Sequence, residues 1–194
     1  ETRYEDCVLG QGNANGAAGT YIDKTGWNYA KEMGYPFGYG LSYTTFEQKI
    51  TDVTYNENTD EYEVKVSVKN TGAVDGKSSV QVYVSEPFTD FDKANKLGKS
   101  AIQLMGYDKV DVKAGETVET TVSFPKYFLT TYDYIQNKTY IIQGGDYYFG
   151  IGNGAHEALN NILSIKAAGS SLYDHLGDPY VGNADCVKKV TISQ

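Results

Sequence analysis

The sequence is poor in the residues that carry most nucleophilic and metal chemistry. Among 194 residues there are two cysteines, two histidines and one tryptophan. Cys7 and Cys186 stand near opposite ends, neither in a C-x-x-C pair, and His156 and His175 are isolated. Such spacing assembles no zinc site, and no metal or cofactor is expected. The cysteines leave two arrangements open. They join in a disulfide, because domain termini often lie close together, or they are two buried thiols. Long apolar runs are also missing: none approaches the roughly 20 residues that cross a bilayer, so the membrane is not an expected partner. Basic residues are few and scattered, 17 Lys and Arg against 25 Asp and Glu, for a formal charge of −8. Nucleic-acid binding needs clustered Lys and Arg, which excludes nucleic acid as an expected partner. The acidic excess reads as a solvated surface.

What the chain does contain is apolar mass and tyrosine. Hydrophobic residues make up 40% of it, enough for a core without disulfide support in one domain plus appendages. Tyrosine is in excess, with 18 copies beside seven Phe. Its ring suits strands and offers an apolar face with a polar tip. Packing in a β-sandwich and a sugar-stacking surface both use such residues, and packing is the weightier reading.

The first 45 residues lack any regular period. Gly10 to Gly19 is a small-residue stretch, and Tyr21 to Tyr43 mixes aromatics with Gly and Pro, as in a loop packed against a larger body. Period-two alternation follows. Ile50, Val53 and Tyr55 suggest a first strand, and Tyr62, Val64, Val66 and Val68 alternate with Glu, Lys and Ser in the clearest half-buried strand. Asn70-Thr71-Gly72 ends it with turn chemistry. Val80, Val82 and Val84 repeat the pattern up to Pro87, and Phe88 to Ser100 reads as a polar loop. Strand signals return at Ile102 to Met105, Val110 to Val112, Val118 to Phe124, Tyr140 to Ile142 and Tyr147 to Ile151. His156 to Lys166 is a short helix or a strand-like tail, and Val187, Val190 and Ile192 suggest a terminal strand. Short strands with turns every 8–12 residues fit an immunoglobulin-like sandwich.

Catalytic signatures are weak. Gly150-Ile151-Gly152-Asn153-Gly154-Ala155 matches a dinucleotide fingerprint in form, but that fingerprint needs a βαβ unit, and the strands here read antiparallel. The bland alternative, a glycine-rich strand end, is preferred. No G-x-S-x-G elbow is present. A carboxylate pair for glycoside hydrolysis needs a fixed separation that spacing alone does not supply, so Asp90, Asp92 and Asp133 read as loop and turn residues. Asn137-Lys138-Thr139 is a formal glycosylation triplet of the kind that arises by chance.

One motif is specific. Tyr35-Pro36-Phe37-Gly38-Tyr39-Gly40-Leu41-Ser42-Tyr43-Thr44-Thr45-Phe46 resembles the stretch joining the α/β-sandwich domain to the fibronectin-III-like domain of family 3 glycoside hydrolases. Val68 to Gly72, Val80 to Val84, Leu104 to Val110 and Gly145 to Gly152 resemble later segments of that domain in order and spacing, and Ala114-Gly115-Glu116 resembles its P-G-E turn. The resemblance covers roughly residues 20–166. It implies a parent enzyme that hydrolyses terminal β-D-glucosides or related β-glycosides. In that family the nucleophilic Asp lies on a (β/α)8 barrel, and the acid/base carboxylate usually lies on the α/β-sandwich domain. No segment here resembles either, so no catalytic residue is carried over.

The expected fold is therefore an all-β, fibronectin-III-like antiparallel sandwich of seven or eight strands with irregular N- and C-terminal extensions. The expected division is a residual α/β-sandwich segment and junction at 1–45, the sandwich at 46–154, and an extension packed on it at 155–194. Tyr35, Pro36, Phe37, Gly38, Tyr39, Gly40, Leu41, Tyr43 and Phe46 are expected to pack between domains. The implied role is a non-catalytic accessory domain, inactive alone, that stabilises catalytic domains of the parent chain, with β-linked carbohydrate as the parent's substrate. Self-association through residues 20–46 is the alternative cover for the apolar junction. A carbohydrate-binding module using exposed tyrosines is the second reading. The charged opening Glu1 to Asp6 reads as the start of an excised segment, which leaves location open between bacterial cytoplasm and secretion.

Overall fold

A computed structural model describes residues 35–95, 97, 99–166, 172 and 178–193. The described strands are β1 (Phe46–Asn56), β2 (Glu61–Asn70), β3 (Gly76–Ser85), β4 (Gln103–Val112), β5 (Thr117–Pro125), β6 (Thr131–Asp133), β7 (Thr139–Ile141), β8 (Gly145–Ile151) and β9 (Val187–Ile192). Helix α1 spans Asp90–Asn95 and α2 spans Ala155–Lys166. Seven strands form two sheets, β1-β2-β5 and β4-β3-β8-β9, while β6 and β7 make a separate ribbon. Every described pairing is antiparallel. The architecture is an all-β sandwich of the expected class.

Alternation drives the two sheets together. On β2, Tyr62, Val64, Val66 and Val68 are buried, while the intervening residues face outward or lie at intermediate depth. They meet Val80, Val82, Val84, Tyr147, Phe149 and Ile151 of the facing sheet in one core. Tyr62, Phe124 and Phe149 close it across the layers, with ring centroids 5.5–6.0 Å apart. The signals at Ile102–Met105 and Val110–Val112 merge into the single ten-residue strand β4. Gly106, which lies between the two signals, is a strand residue there. A Cβ on it would lie 2.8 Å from Val122, so glycine is what lets the strand pass the other sheet.

The glycine-rich stretch after β8 serves packing as well. Helix α2 lies over the outer face of the four-stranded sheet, and a Cβ on Gly150 would lie 2.7 Å from Ile162. One on Gly152 would meet the Ala158 nitrogen at the same distance. The segment that reads as a helix or a strand-like tail is thus this helix, with Ala158, Leu159, Ile162 and Leu163 buried. Further along, β9 hydrogen-bonds along β8 and becomes an edge strand of the sandwich itself.

The segment from Phe88 to Ser100 departs from the expected loop, because it holds α1 with Asp92 fully buried. Thr89 and Asp92 form a capping box. The Asp92 carboxylate accepts from the Thr89 amide at 2.7 Å, and the Asp92 amide donates to the Thr89 hydroxyl at 3.3 Å.

One side chain ties several of these segments. Asn70, at the end of β2, is completely buried. Its Oδ1 accepts from the Thr44 hydroxyl at 2.7 Å and the Gly72 amide at 3.0 Å. Its Nδ2 donates to the carbonyls of Val74 at 2.8 Å and Val112 at 3.0 Å. All four bonding positions of the amide are used. Replacing it strands several buried groups, each costing about 1–3 kcal/mol. Asn70→Ala and Asn70→Asp are both expected to lower unfolding stability by about 3 kcal/mol or more. Urea unfolding measures this, and a loss below about 1 kcal/mol would refute it.

Candidate interdomain surface

The junction motif begins with a turn. The Tyr39 amide donates to the Pro36 carbonyl at 3.1 Å, and Gly38 sits at φ 80°, the third position of a type II turn. The backbone of this turn is fastened to the sandwich from two directions. The Phe37 carbonyl accepts from the Ala155 amide at the start of α2 (2.8 Å), and the Gly38 carbonyl accepts from Gln81 Nε2 on β3 (3.0 Å). Gln81 is steadied in turn by the Tyr83 hydroxyl, which donates to its Oε1 at 2.7 Å. A Cβ on Gly38 would lie 2.1 Å from Gln81 Oε1, and one on Gly154 would lie 2.7 Å from the Phe37 carbonyl oxygen. Glycine at 154 is what lets the two backbones touch, and glycine at 38 admits the Gln81 amide to the turn.

The side chains go the other way. Tyr35, Phe37, Leu41 and Tyr43 are 74%, 66%, 89% and 102% exposed. Gly40 is exposed too, while Tyr39 is half-buried beside Tyr35 with ring centroids 5.4 Å apart. Only Pro36 is buried, and Phe46 is half-buried at the start of β1. Residues 35–43 therefore hold an anchored turn at 36–39 and present apolar groups to their surroundings. Beside it runs a groove of about 370 Å³, walled by Pro36, Tyr39, Leu41 and Phe46 and by His156 and Tyr180. The expectations for residues 20–34 and for Cys7 lie outside the described residues.

Cys186 is a buried thiol that donates to the Gln48 carbonyl at 3.2 Å, with no disulfide among the described residues. Burial, reinforced by nearby carboxylates beginning with Glu157, pushes the thiol up to about 12.

Two further features escaped sequence reasoning. Lys99, only 5% exposed, lies 3.4 Å from Glu86 and 3.7 Å from Asp92. It donates at 3.0 Å to both the Pro87 carbonyl and Gln143 Oε1, while Gln143 Nε2 donates to Asp92 at 2.7 Å. The network satisfies a buried cation in full and pins α1 beneath residues 141–145. Burial raises Glu86 above the usual carboxylate range, and burial beside Lys99 pushes Lys166 down to about 8. The only sequence signal was the Thr89-x-x-Asp92 pattern. The second feature is an exposed aromatic cluster, in which Tyr140 contacts Tyr127 and Tyr132 edge-on at 5.1 Å and about 60°. Its rings are not a coplanar row. Asp133 lies beneath them as a turn anchor, accepting from the amides of Ile135, Gln136 and Asn137. Those bonds, the Gln136 amide first, hold its carboxyl below the usual range.

Residues 78–155 match the family described as fibronectin type III-like domain. A β-glucosidase of Kluyveromyces marxianus is 31% identical over 137 residues, covering 70% of this chain and 15% of that protein. A periplasmic β-glucosidase of Salmonella typhimurium is 40% identical over 95 residues, or 47% of this chain and 11% of that protein. Among solved structures, the GH3 β-glucosidase of Bifidobacterium adolescentis superposes with a TM-score of 0.57 at 25% identity, covering 81% of this chain and 18% of that one. The chain thus spans less than a fifth of the length of these relatives. Residues 78–155 thus carry a fibronectin type III-like domain, and the two antiparallel sheets are consistent with that class of sandwich. Its homologues are β-glucosidases and β-xylosidases of glycoside hydrolase family 3.

The buried thiol supplies a check on the core. In a Cys7→Ser variant, Cys186 is expected to resist Ellman's reagent in the native chain at pH 8 and to react once guanidinium unfolds it without reductant. Its folded value lies above the model-peptide value of 9.0, so its stabilising contribution is complete below pH 9 and is lost as pH rises toward about 12. Urea midpoints between pH 8 and 11 should fall, and the fall should shrink in Cys186→Ala. Native reactivity at pH 8 would contradict this burial.

Proposed function

We propose that this chain is a non-catalytic accessory domain of a β-glycoside hydrolase, bracing the catalytic domains of its parent through residues 35–46. The observation that carries this reading is the fastened turn with outward apolar side chains. A soluble domain rarely leaves a contiguous apolar patch bare, and large exposed patches mark interaction sites. Burying each such side chain is worth roughly 1.5–3 kcal/mol, so four of them supply a substantial docking energy. Tight backbone anchoring adds to it by removing the ordering cost that a floppy linker would carry. Relatives in which the matching segment is a small part of a longer enzyme support the same reading, with terminal β-D-glucosides or related β-glycosides as the parent's substrates.

Two measurements test it. The purified chain is expected to show no turnover of 4-nitrophenyl β-glucoside or β-xyloside, since glycoside hydrolysis requires a matched carboxylate pair. Activity that survives purification and vanishes with one Asp or Glu substitution would overturn the accessory role. The second concerns the patch. Phe37→Ser with Leu41→Ser should leave unfolding stability within about 0.5 kcal/mol, because both side chains are already in solvent. It should lower dye binding or self-association measured by light scattering. A large stability loss with unchanged association would mean that the motif serves only the domain's own fold.

A further inference from the structure

A second concavity lies away from the junction, between the end of β3, the Lys99–Gln103 segment and β6. It encloses about 230 Å³ and is lined by Glu86, Lys99, Ser100, Gln103, Thr131 and Tyr132, among others. We infer that this groove is a binding site for one ring of a neutral saccharide.

Size comes first. Pockets for drug-sized ligands run to roughly 300–1,000 Å³, and this smaller space suits a single pyranose. Charge comes second. Glu86 and Lys99 are buried and paired at 3.4 Å, so the groove carries charge-strengthened hydrogen-bonding groups without demanding a charged ligand. Glu86, whose side chain is 10% exposed, accepts from Lys99 and from the Thr131 hydroxyl through Oε2. A carboxylate offers about four lone-pair positions, so acceptor capacity remains for a sugar hydroxyl. Ser100 and Gln103, both exposed at the rim, add neutral donors and acceptors.

The third element is the wall. Tyr132 is 48% exposed and is braced edge-on by Tyr140, with its own hydroxyl donating to the Lys138 carbonyl at 3.3 Å. A ring held in place with half its surface in solvent offers an apolar face to the C–H face of a pyranose at little entropic cost. The neighbouring rings stand at about 60° to one another, so they provide no flat platform for a polysaccharide surface. The site therefore fits a soluble sugar or a chain end. This inference is independent of the bracing role, since none of its groups belongs to residues 35–46.

The experiment is an amide-resolved NMR titration of the 194-residue chain with glucose, xylose and cellobiose. Shifts are expected at Ser100, Gln103, Thr131 and Tyr132, saturating near millimolar concentration, as a ligand of about a dozen heavy atoms allows. Tyr132→Ala should weaken binding about tenfold or more while the spectrum elsewhere and the melting temperature stay unchanged. Glu86→Gln should abolish binding. If that variant fails to fold, the Tyr132 variant decides the matter. Absence of shifts with all three sugars well above millimolar would overturn the site. So would equal shifts with glycerol, or shifts at these amides with calcium or ammonium chloride alone.

Discussion

The saturated amide of Asn70 is the constraint on which the rest of this domain depends. It sits where β2 leaves the core, and its four bonds reach the junction at Thr44, the turn at Gly72 and Val74, and the last residue of β4. Its backbone is engaged as well. Its amide donates to Glu116 and its carbonyl accepts from Gly115, which fixes the turn leading into β5. One buried residue thus sets how both sheets and the incoming chain meet at this end of the sandwich. A buried amide is costly unless fully bonded, and that cost makes the arrangement specific.

From that fixed end, the junction turn acquires its geometry by backbone contact rather than by side-chain burial. Gly154 lets the turn lie directly against the start of α2, and Gly38 makes room for Gln81, which reaches over from β3 to hold it. Tyr35, Phe37 and Tyr43 are left in solvent by the same geometry, since the inward side of the turn is taken up by the start of α2 and by Gln81. A surface made in this way is stiff and apolar together, the combination that suits a permanent neighbour. The opposite kind of surface occurs at the Glu86–Lys99 groove, where buried charges and one braced tyrosine suit a small polar ligand.

Much of the sandwich was legible in the sequence because a half-buried strand writes its environment as a period of two. Val64, Val66 and Val68 announce β2 without ambiguity, and Val80, Val82 and Val84 announce β3. Local signals failed where the deciding contact came from far along the chain. Gly106 breaks the pattern of β4, yet it is there because Val122 passes close on the other sheet. Phe88 to Ser100 reads as a polar loop, because nothing local reveals that Gln143 completes the network of Asp92 and Lys99.

The sequence by itself determined the class of fold, most of its strands and the family to which the junction motif points, since those follow from local periodicity and short specific motifs. Tertiary structure alone decided which aromatics face outward. Tyr62, Tyr83 and Tyr147 vanish into the interior, whereas Tyr35, Tyr43 and Tyr132 stand in solvent. A tyrosine's ring and hydroxyl suit either place equally, so its fate depends on which distant segment arrives to cover it.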